Sequence, residues 1–169
     1  GEIRSIAYSP DGMKIAAASN DKTVTLWNTK DGSNPTSAWD PVSAHDSHVL
    51  VIVFQPEGGQ FATGGGDGHI KVWDALNGDR VAQTDNDNKH LSSVTLITYC
   101  TTNSEYLASA SMDGYVGIWK VPKEKSDETN MEYDNIKELM TENSLDNTDQ
   151  NMEIKDLEGS ISITNCLSG

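Results

Sequence analysis

The chain has 169 residues, of which 36% are hydrophobic, and a formal net charge of −14. This excess of negative charge disfavours nucleic-acid phosphates and anionic membrane surfaces, so we expect neither nucleic acid nor membrane as a partner. Basic or neutral protein surfaces are the expected partners. No apolar run is long enough to span a membrane, and we recognise no signal peptide.

Cysteine is sparse in this chain. Cys100 and Cys166 are too few for a disulfide framework, and no Cys/His spacing typical of a metal site occurs. We therefore expect no metal, no other cofactor, and a location in the cytoplasm or the nucleus.

Two residue types recur along the chain at one interval. Trp27, Trp73 and Trp119 are 46 residues apart, twice over, and an aspartate stands six residues before each tryptophan. A fixed period of roughly 20 to 50 residues is the signature of a repeat architecture. We expect the three tryptophans to occupy equivalent, mostly buried positions.

Each period contains three short apolar runs separated by turn-forming residues. The aligned segments span 3–28, 49–74 and 94–120. Asp67-Gly68 and Asp113-Gly114 are hairpin signals, and a fourth strand-like run follows two of the tryptophans. Four short antiparallel strands per repeat are typical of a propeller blade. The run Gly64–Gly68 lacks the Lys-Ser/Thr of a phosphate loop and predicts a tight turn.

These motifs resemble the WD40 family, whose repeat runs from Gly-His through a Ser-Pro-Asp-Gly turn to Trp-Asp. Ala44-His45 and Lys89-His90 stand at the Gly-His position, and Trp73-Asp74 keeps the final dipeptide. The resemblance covers about residues 1–122. It implies an all-β fold: a partial β-propeller of about three four-stranded antiparallel WD40 blades, the first one truncated. An acidic low-complexity tail, 123–169, follows.

The resemblance also implies a buried chain of hydrogen bonds from His, Ser/Thr, Asp and Trp within each blade. Its members are His45, Thr63, Asp67 and Trp73 in the second blade, and His90, Ser109, Asp113 and Trp119 in the third. The first blade keeps only Asp21 and Trp27, because Ala17 occupies the hydroxyl position and the His position would precede residue 1. A hydrolase triad uses similar residue types, but a catalytic set occurs once, whereas this set recurs with the fold. We therefore expect a structural role and no enzyme activity in the chain itself.

The composition changes after Pro122. Residues 123–160 are rich in acidic and amide side chains, which is typical of a disordered or partner-dependent segment. An apolar island near 131–141 has the spacing of a short helix that could dock onto the propeller, and a fluctuating linker is the alternative. Residues 160–165 alternate like a strand that could begin a further blade.

In the WD40 family the partner usually meets one rim of the ring, next to the repeated His and Asp. The matching residues here are Glu2, Asn20, Asp46, His48, Gly66, Leu91, Ser93 and Met112. Their acidic members favour a basic peptide or protein surface. The implied function is a non-catalytic scaffold that assembles a multiprotein complex; the alternative is a targeting or regulatory segment of a larger enzyme.

Three blades leave a ring open, since propellers typically close with about four to eight. We expect apolar faces and strand edges at both ends, with the segment 3–8 lacking an outer strand. Further blades of the same protein, or another subunit, should complete the ring.

Overall fold

The computed structural model describes residues 1–32, 42–122 and 131–134. Within these ranges the chain forms twelve β-strands and no helix, and so no helix that could cross a membrane. The strands are β1 (Ile3–Tyr8), β2 (Lys14–Ser19), β3 (Thr23–Asn28), β4 (Val42–Ser43), β5 (Val49–Phe54), β6 (Gln60–Gly65), β7 (Ile70–Asp74), β8 (Arg80–Gln83), β9 (Val94–Tyr99), β10 (Tyr106–Ser111), β11 (Val116–Lys120) and β12 (Glu132–Asp134).

The strands form three antiparallel sheets of four, each in chain order, which we call blades 1, 2 and 3. β-Branched and aromatic residues favour these strands, and blade 2 packs on both faces while blades 1 and 3 each pack on one. The first strands lie side by side, β1 against β5 and β5 against β9. This arrangement confirms the expected all-β partial propeller.

Two apolar clusters hold the blades together. One joins blades 1 and 2 and includes Leu26, Phe54 and Phe61. The other joins blades 2 and 3 and includes Ile70 and Leu107. Blade 2 lies between the two clusters, and every residue of β6 is buried. Each interface is therefore a sheet-on-sheet core, stabilised by removing apolar side chains from water.

The glycine run 64–68 serves close packing as well as a turn. Gly64 and Gly65 lie in β6, and a Cβ added at Gly64 would come within 2.6 Å of the Val94 side chain. The turn that the sequence predicts begins only after Gly65. Gly68 has a φ of +80°, in the left-handed region that glycine adopts without strain.

The expectation that blade 1 is truncated is wrong. Its fourth strand is β4, which pairs with β3 through Thr23↔Ser43 and Val24↔Val42. The segment 3–8 is the inner strand of its blade and needs no strand before it. The physical reason is an offset: each blade takes its outer strand from the residues that follow its tryptophan.

The expected helix near 131–141 is also wrong where the structure describes it. Glu132–Asp134 is a strand that pairs antiparallel with β11 and completes blade 3. The open edge of β11 offers backbone donors and acceptors, and pairing with them outweighs a weak helical spacing. Met131, only 2% exposed, packs between blades 2 and 3, and its N–H donates to Gln83 O at 2.9 Å. Residues 135–141 and 160–165 lie outside the described part.

Both ends of the three-blade stack carry exposed apolar side chains. On β1, Ile6 and Tyr8 are 64% and 63% exposed, whereas the equivalent Ile52 and Phe54 are buried against blade 1. Leu96 on β9 is 59% exposed at the other end. Trp27, at the equivalent position of blade 1, is less buried than Trp73 and Trp119, but most of its surface is covered, as expected for equivalent and mostly buried positions.

Candidate functional site

The connection between β4 and β5 carries His45 into blade 2. Its Nδ1 lies 3.0 Å from Asp67 Oδ1, and its Nε2 lies 2.8 Å from Thr63 Oγ1. The indole N–H of Trp73 donates to the same Thr63 oxygen at 2.9 Å. Asp67 also accepts the N–H of Asp46 at 2.9 Å, which fixes the connection to the β6–β7 turn.

Blade 3 repeats this geometry. His90 Nδ1 lies 3.0 Å from Asp113 Oδ2, and His90 Nε2 lies 2.7 Å from Ser109 Oγ. Trp119 donates its indole N–H to Ser109 Oγ at 2.8 Å. The N–H of Leu91 donates to Asp113 Oδ2 at 2.8 Å, as that of Asp46 does to Asp67 in blade 2.

The hydrogen-bond directions in blade 2 fit a neutral His45. Burial lowers the pKa of His45, although the Asp67 carboxylate opposes that shift. Burial raises the pKa of Asp67, but the interaction with His45 and the backbone N–H groups of His69 and Asp46 together outweigh it, and the net pKa lies below the usual value. Thr63 then donates its hydroxyl proton to His45 Nε2, and His45 Nδ1–H donates to Asp67.

A nucleophilic role does not suit the two hydroxyls. Thr63 and Ser109 are 0% and 3% exposed, and each oxygen already accepts the indole N–H of its tryptophan. A substrate carbonyl would have to reach a buried oxygen that already accepts a hydrogen bond. In blades 2 and 3 the network thus links the segment before the first strand to the second and third strands.

Blade 1 lacks the hydroxyl of this network. Ala17 is buried where Thr63 and Ser109 stand, and Asp21 accepts the N–H of Thr23 at 3.1 Å. Lys22 has a φ of 75°, at the position that Gly68 and Gly114 occupy in the other blades. A lysine in the left-handed region carries backbone strain that glycine avoids.

The eight predicted rim residues lie at one end of the strands. Equivalent backbone hydrogen bonds join six of them in pairs: Asn20 N–H to Glu2 O, Gly66 N–H to His48 O, and Met112 N–H to Ser93 O, at 2.8–3.0 Å. The exposed members are Glu2, Asp46, His48, Leu91 and Met112, while Asn20, Gly66 and Ser93 are half-buried. The rim therefore combines a rigid backbone with side chains that reach solvent.

Sequence reasoning missed the role of Lys71. This lysine is 9% exposed, and its Nζ donates to Ala44 O at 2.8 Å, directly before His45. Burial lowers its pKa. The available signal was a cation inside the apolar run from Ile70 to Trp73, where a charge needs a partner.

Many solved structures resemble this fold, two of them at 22% and 24% sequence identity. One is a chain in the crystal structure of a mitotic checkpoint complex, 22% identical, with a TM-score of 0.66 over 79% of this chain and 38% of that one. The other holds the WD40 repeats of RRP9, 24% identical, with a TM-score of 0.62 over 73% of this chain and 36% of that one. At these identities the likeness shows the fold alone. This chain thus spans less than half the length of either.

Sequence comparison gives the family. No curated protein matches. A family model, described as WD40: WD domain, G-beta repeat, matches residues 1–28, 39–74 and 84–120. These segments make up more than half of the chain, and each runs up to or just past one of the repeated tryptophans. The chain therefore belongs to the WD40 family.

Proposed function

We propose that this chain is part of a non-catalytic scaffold whose rim binds a partner protein and so assembles a multiprotein complex. WD40 repeats support a protein-interaction role in general. The buried hydroxyls described above support a role without catalysis in this chain.

One observation carries the proposal: equivalent rim positions differ in chemistry while the buried network repeats. Asn20, Gly66 and Met112 occupy one position in three blades, and Asp46 and Leu91 occupy another in two. The residues of the buried network recur with the same chemistry in blades 2 and 3. The rim residues vary instead, which favours a role in binding rather than in folding.

The charge favours a basic partner. Glu2 and Asp46 are exposed carboxylates on this rim, and the whole chain has a formal net charge of −14. Opposite charges steer association and raise its rate at low salt. A basic peptide or a basic protein surface is therefore the partner that we propose.

The open faces of blades 1 and 3 support a second part of the proposal. Apolar side chains such as Ile6 and Leu96 stand where a neighbouring blade covers their equivalents elsewhere in the stack. The chain also spans only 38% and 36% of its two structural neighbours. Further blades of the same protein, or of another subunit, would cover these faces.

The test compares proteins that copurify with the full-length protein, identified by mass spectrometry. Asp46→Lys reverses one charge on the rim, and Asp79→Lys makes the same change at the opposite end of the blades. We expect Asp46→Lys to lose partners that Asp79→Lys retains, with both variants folded by circular dichroism. Identical partner sets for both variants, or no partner for the wild type, would overturn the proposal.

A further inference from the structure

The rim of blade 3 carries two large apolar side chains in solvent. Leu91 is 81% exposed and Met112 is 73% exposed. The equivalent positions in blade 2 hold Asp46 and Gly66, and blade 1 has Asn20 in place of Met112. This pair is therefore specific to blade 3 and is not part of the repeated packing.

Hydrogen bonds fix the backbone on both sides of this pair. The N–H of Leu91 donates to Asp113 Oδ2 at 2.8 Å, and Met112 directly precedes Asp113 in the chain. The N–H of Met112 donates to Ser93 O at 3.0 Å. Because both backbones are held, a ligand that covers these side chains orders little of the protein and loses little entropy.

Blade 2 offers a carboxylate at the matching place. The N–H of Asp46 donates to Asp67 Oδ2 at 2.9 Å, so its backbone is held as that of Leu91 is, and its side chain is exposed. Gly66 adds no side chain beside it, and a Cβ there would come within 2.8 Å of Ser47 Oγ. The N–H of His90 donates to Gly68 O at 3.2 Å, so Leu91 follows a residue that is bonded to the same β6–β7 turn that holds Asp46.

The rim carboxylate of blade 1, Glu2, is less available to a ligand. One Glu2 oxygen accepts the side-chain N–H of Asn20 at 2.8 Å, and the other lies 3.6 Å from Arg4. Arg4 therefore already offsets part of the Glu2 charge. Asp46 is the better carboxylate for a cation from a ligand.

We infer that this rim has two adjacent subsites: an apolar one formed by Leu91 and Met112, and an acidic one formed by Asp46. The occupant is a short segment of a partner protein that carries an aliphatic residue and a Lys or Arg nearby. The inference rests on the proposed scaffold function and adds the chemistry of the ligand. One peptide occupies both subsites at the same time, and each subsite adds its own contribution to the affinity.

The probe is a displayed library of random twelve-residue peptides, selected on the immobilised full-length protein. We expect the enriched peptides to share an aliphatic residue and a basic residue at a constant spacing. Against one such peptide, Leu91→Ser/Met112→Ser should lower affinity at least about tenfold, because a buried aliphatic side chain supplies that much binding. Asp46→Asn should lower affinity severalfold and reduce its dependence on salt.

Matched controls lie at the opposite end of the blades. Met13→Ser/Leu76→Ser removes two other exposed apolar side chains, and Asp79→Asn removes another exposed carboxylate; neither should change affinity. Selection on Leu91→Ser/Met112→Ser should lose the aliphatic preference and keep the basic one. If the rim variants bind the wild-type peptides unchanged, the two subsites are overturned. Copurification would then still decide the scaffold function separately.

Discussion

At the scale of single residues, the carboxylates of the repeated network differ in their partners. Asp67 and Asp113 each accept hydrogen bonds from a histidine and two backbone N–H groups, and that histidine also meets a hydroxyl, whereas blade 1 has Ala17 in place of the hydroxyl. We expect Asp67→Ala and Asp113→Ala each to cost roughly 1–3 kcal/mol, because buried donors lose their acceptor. Asp21→Ala should cost less. Thermal melts of the full-length protein measure this, and equal losses at all three sites would contradict the assignment.

Lys22 marks a position where the backbone favours glycine. Its φ of 75° matches the 80° of Gly68 and the 85° of Gly114. Lys22→Gly should therefore stabilise the protein by roughly 0.5–1 kcal/mol. Gly114→Ala is the converse control, because a Cβ there meets no atom within 4 Å and only the backbone changes. A destabilised Lys22→Gly variant in urea titrations would show that the lysine side chain matters more than its backbone.

Acidification should act through His45. Burial lowers the pKa of His45 below its ordinary 6.5, so the unfolded chain binds this proton more readily than the folded protein. The stability that this group contributes is complete above about pH 6.5 and is lost as pH falls below that value. The melting temperature of the wild type should fall more between about pH 7 and about pH 5 than that of His45→Gln. If the melting temperatures of the two proteins fell equally over this range, His45 would not be the cause of the pH dependence.

At the scale of elements, β12 depends on the residue before it. Met131 is 2% exposed between blades 2 and 3, while Met112 is 73% exposed on the rim. Met131→Ala should cost about 2–5 kcal/mol through lost burial and the cavity left behind. Met112→Ala, the same chemical change in solvent, should stay within about 0.5 kcal/mol. Urea unfolding of both variants compares them directly, and a neutral Met131→Ala would mean that this segment adds nothing to blade 3.

The sequence predicted the residues that recur in each repeat, and it missed features that depend on pairing with other strands or on contact with other blades. The period located Asp67 and Trp73, and the family resemblance added His45 and Thr63, which the structure brings within hydrogen-bond distance. It misplaced the outer strand of blade 1, because a strand as short as β4 has no periodic signal and is defined only by its pairing. The sequence did not show that Trp27 is less buried than Trp73 and Trp119, because complete burial there requires a neighbouring blade.

At the scale of the whole molecule, the two open faces decide how the fragment behaves alone. Ile6 and Tyr8 at one end and Leu96 at the other are more than half exposed, and an uncovered apolar sheet face associates readily. We expect residues 1–169 alone to aggregate, or to be stable only with a partner, in sedimentation at micromolar concentration. A soluble monomer that melts cooperatively would contradict this expectation.

The outer strand of each blade follows the tryptophan of that blade in the chain. This order of strands determines which recombination events keep every blade complete. A deletion of 46 residues joins equivalent positions of blades 1 and 2 when its two breakpoints fall within the aligned segments 3–28 and 49–74. Loss of 28–73 would place Asp74 directly after Trp27, so that β8 follows β3 as its outer strand. Every breakpoint within these segments leaves a four-stranded sheet behind. Unequal crossing-over between periods can therefore change the number of blades in a gene without damaging any one of them.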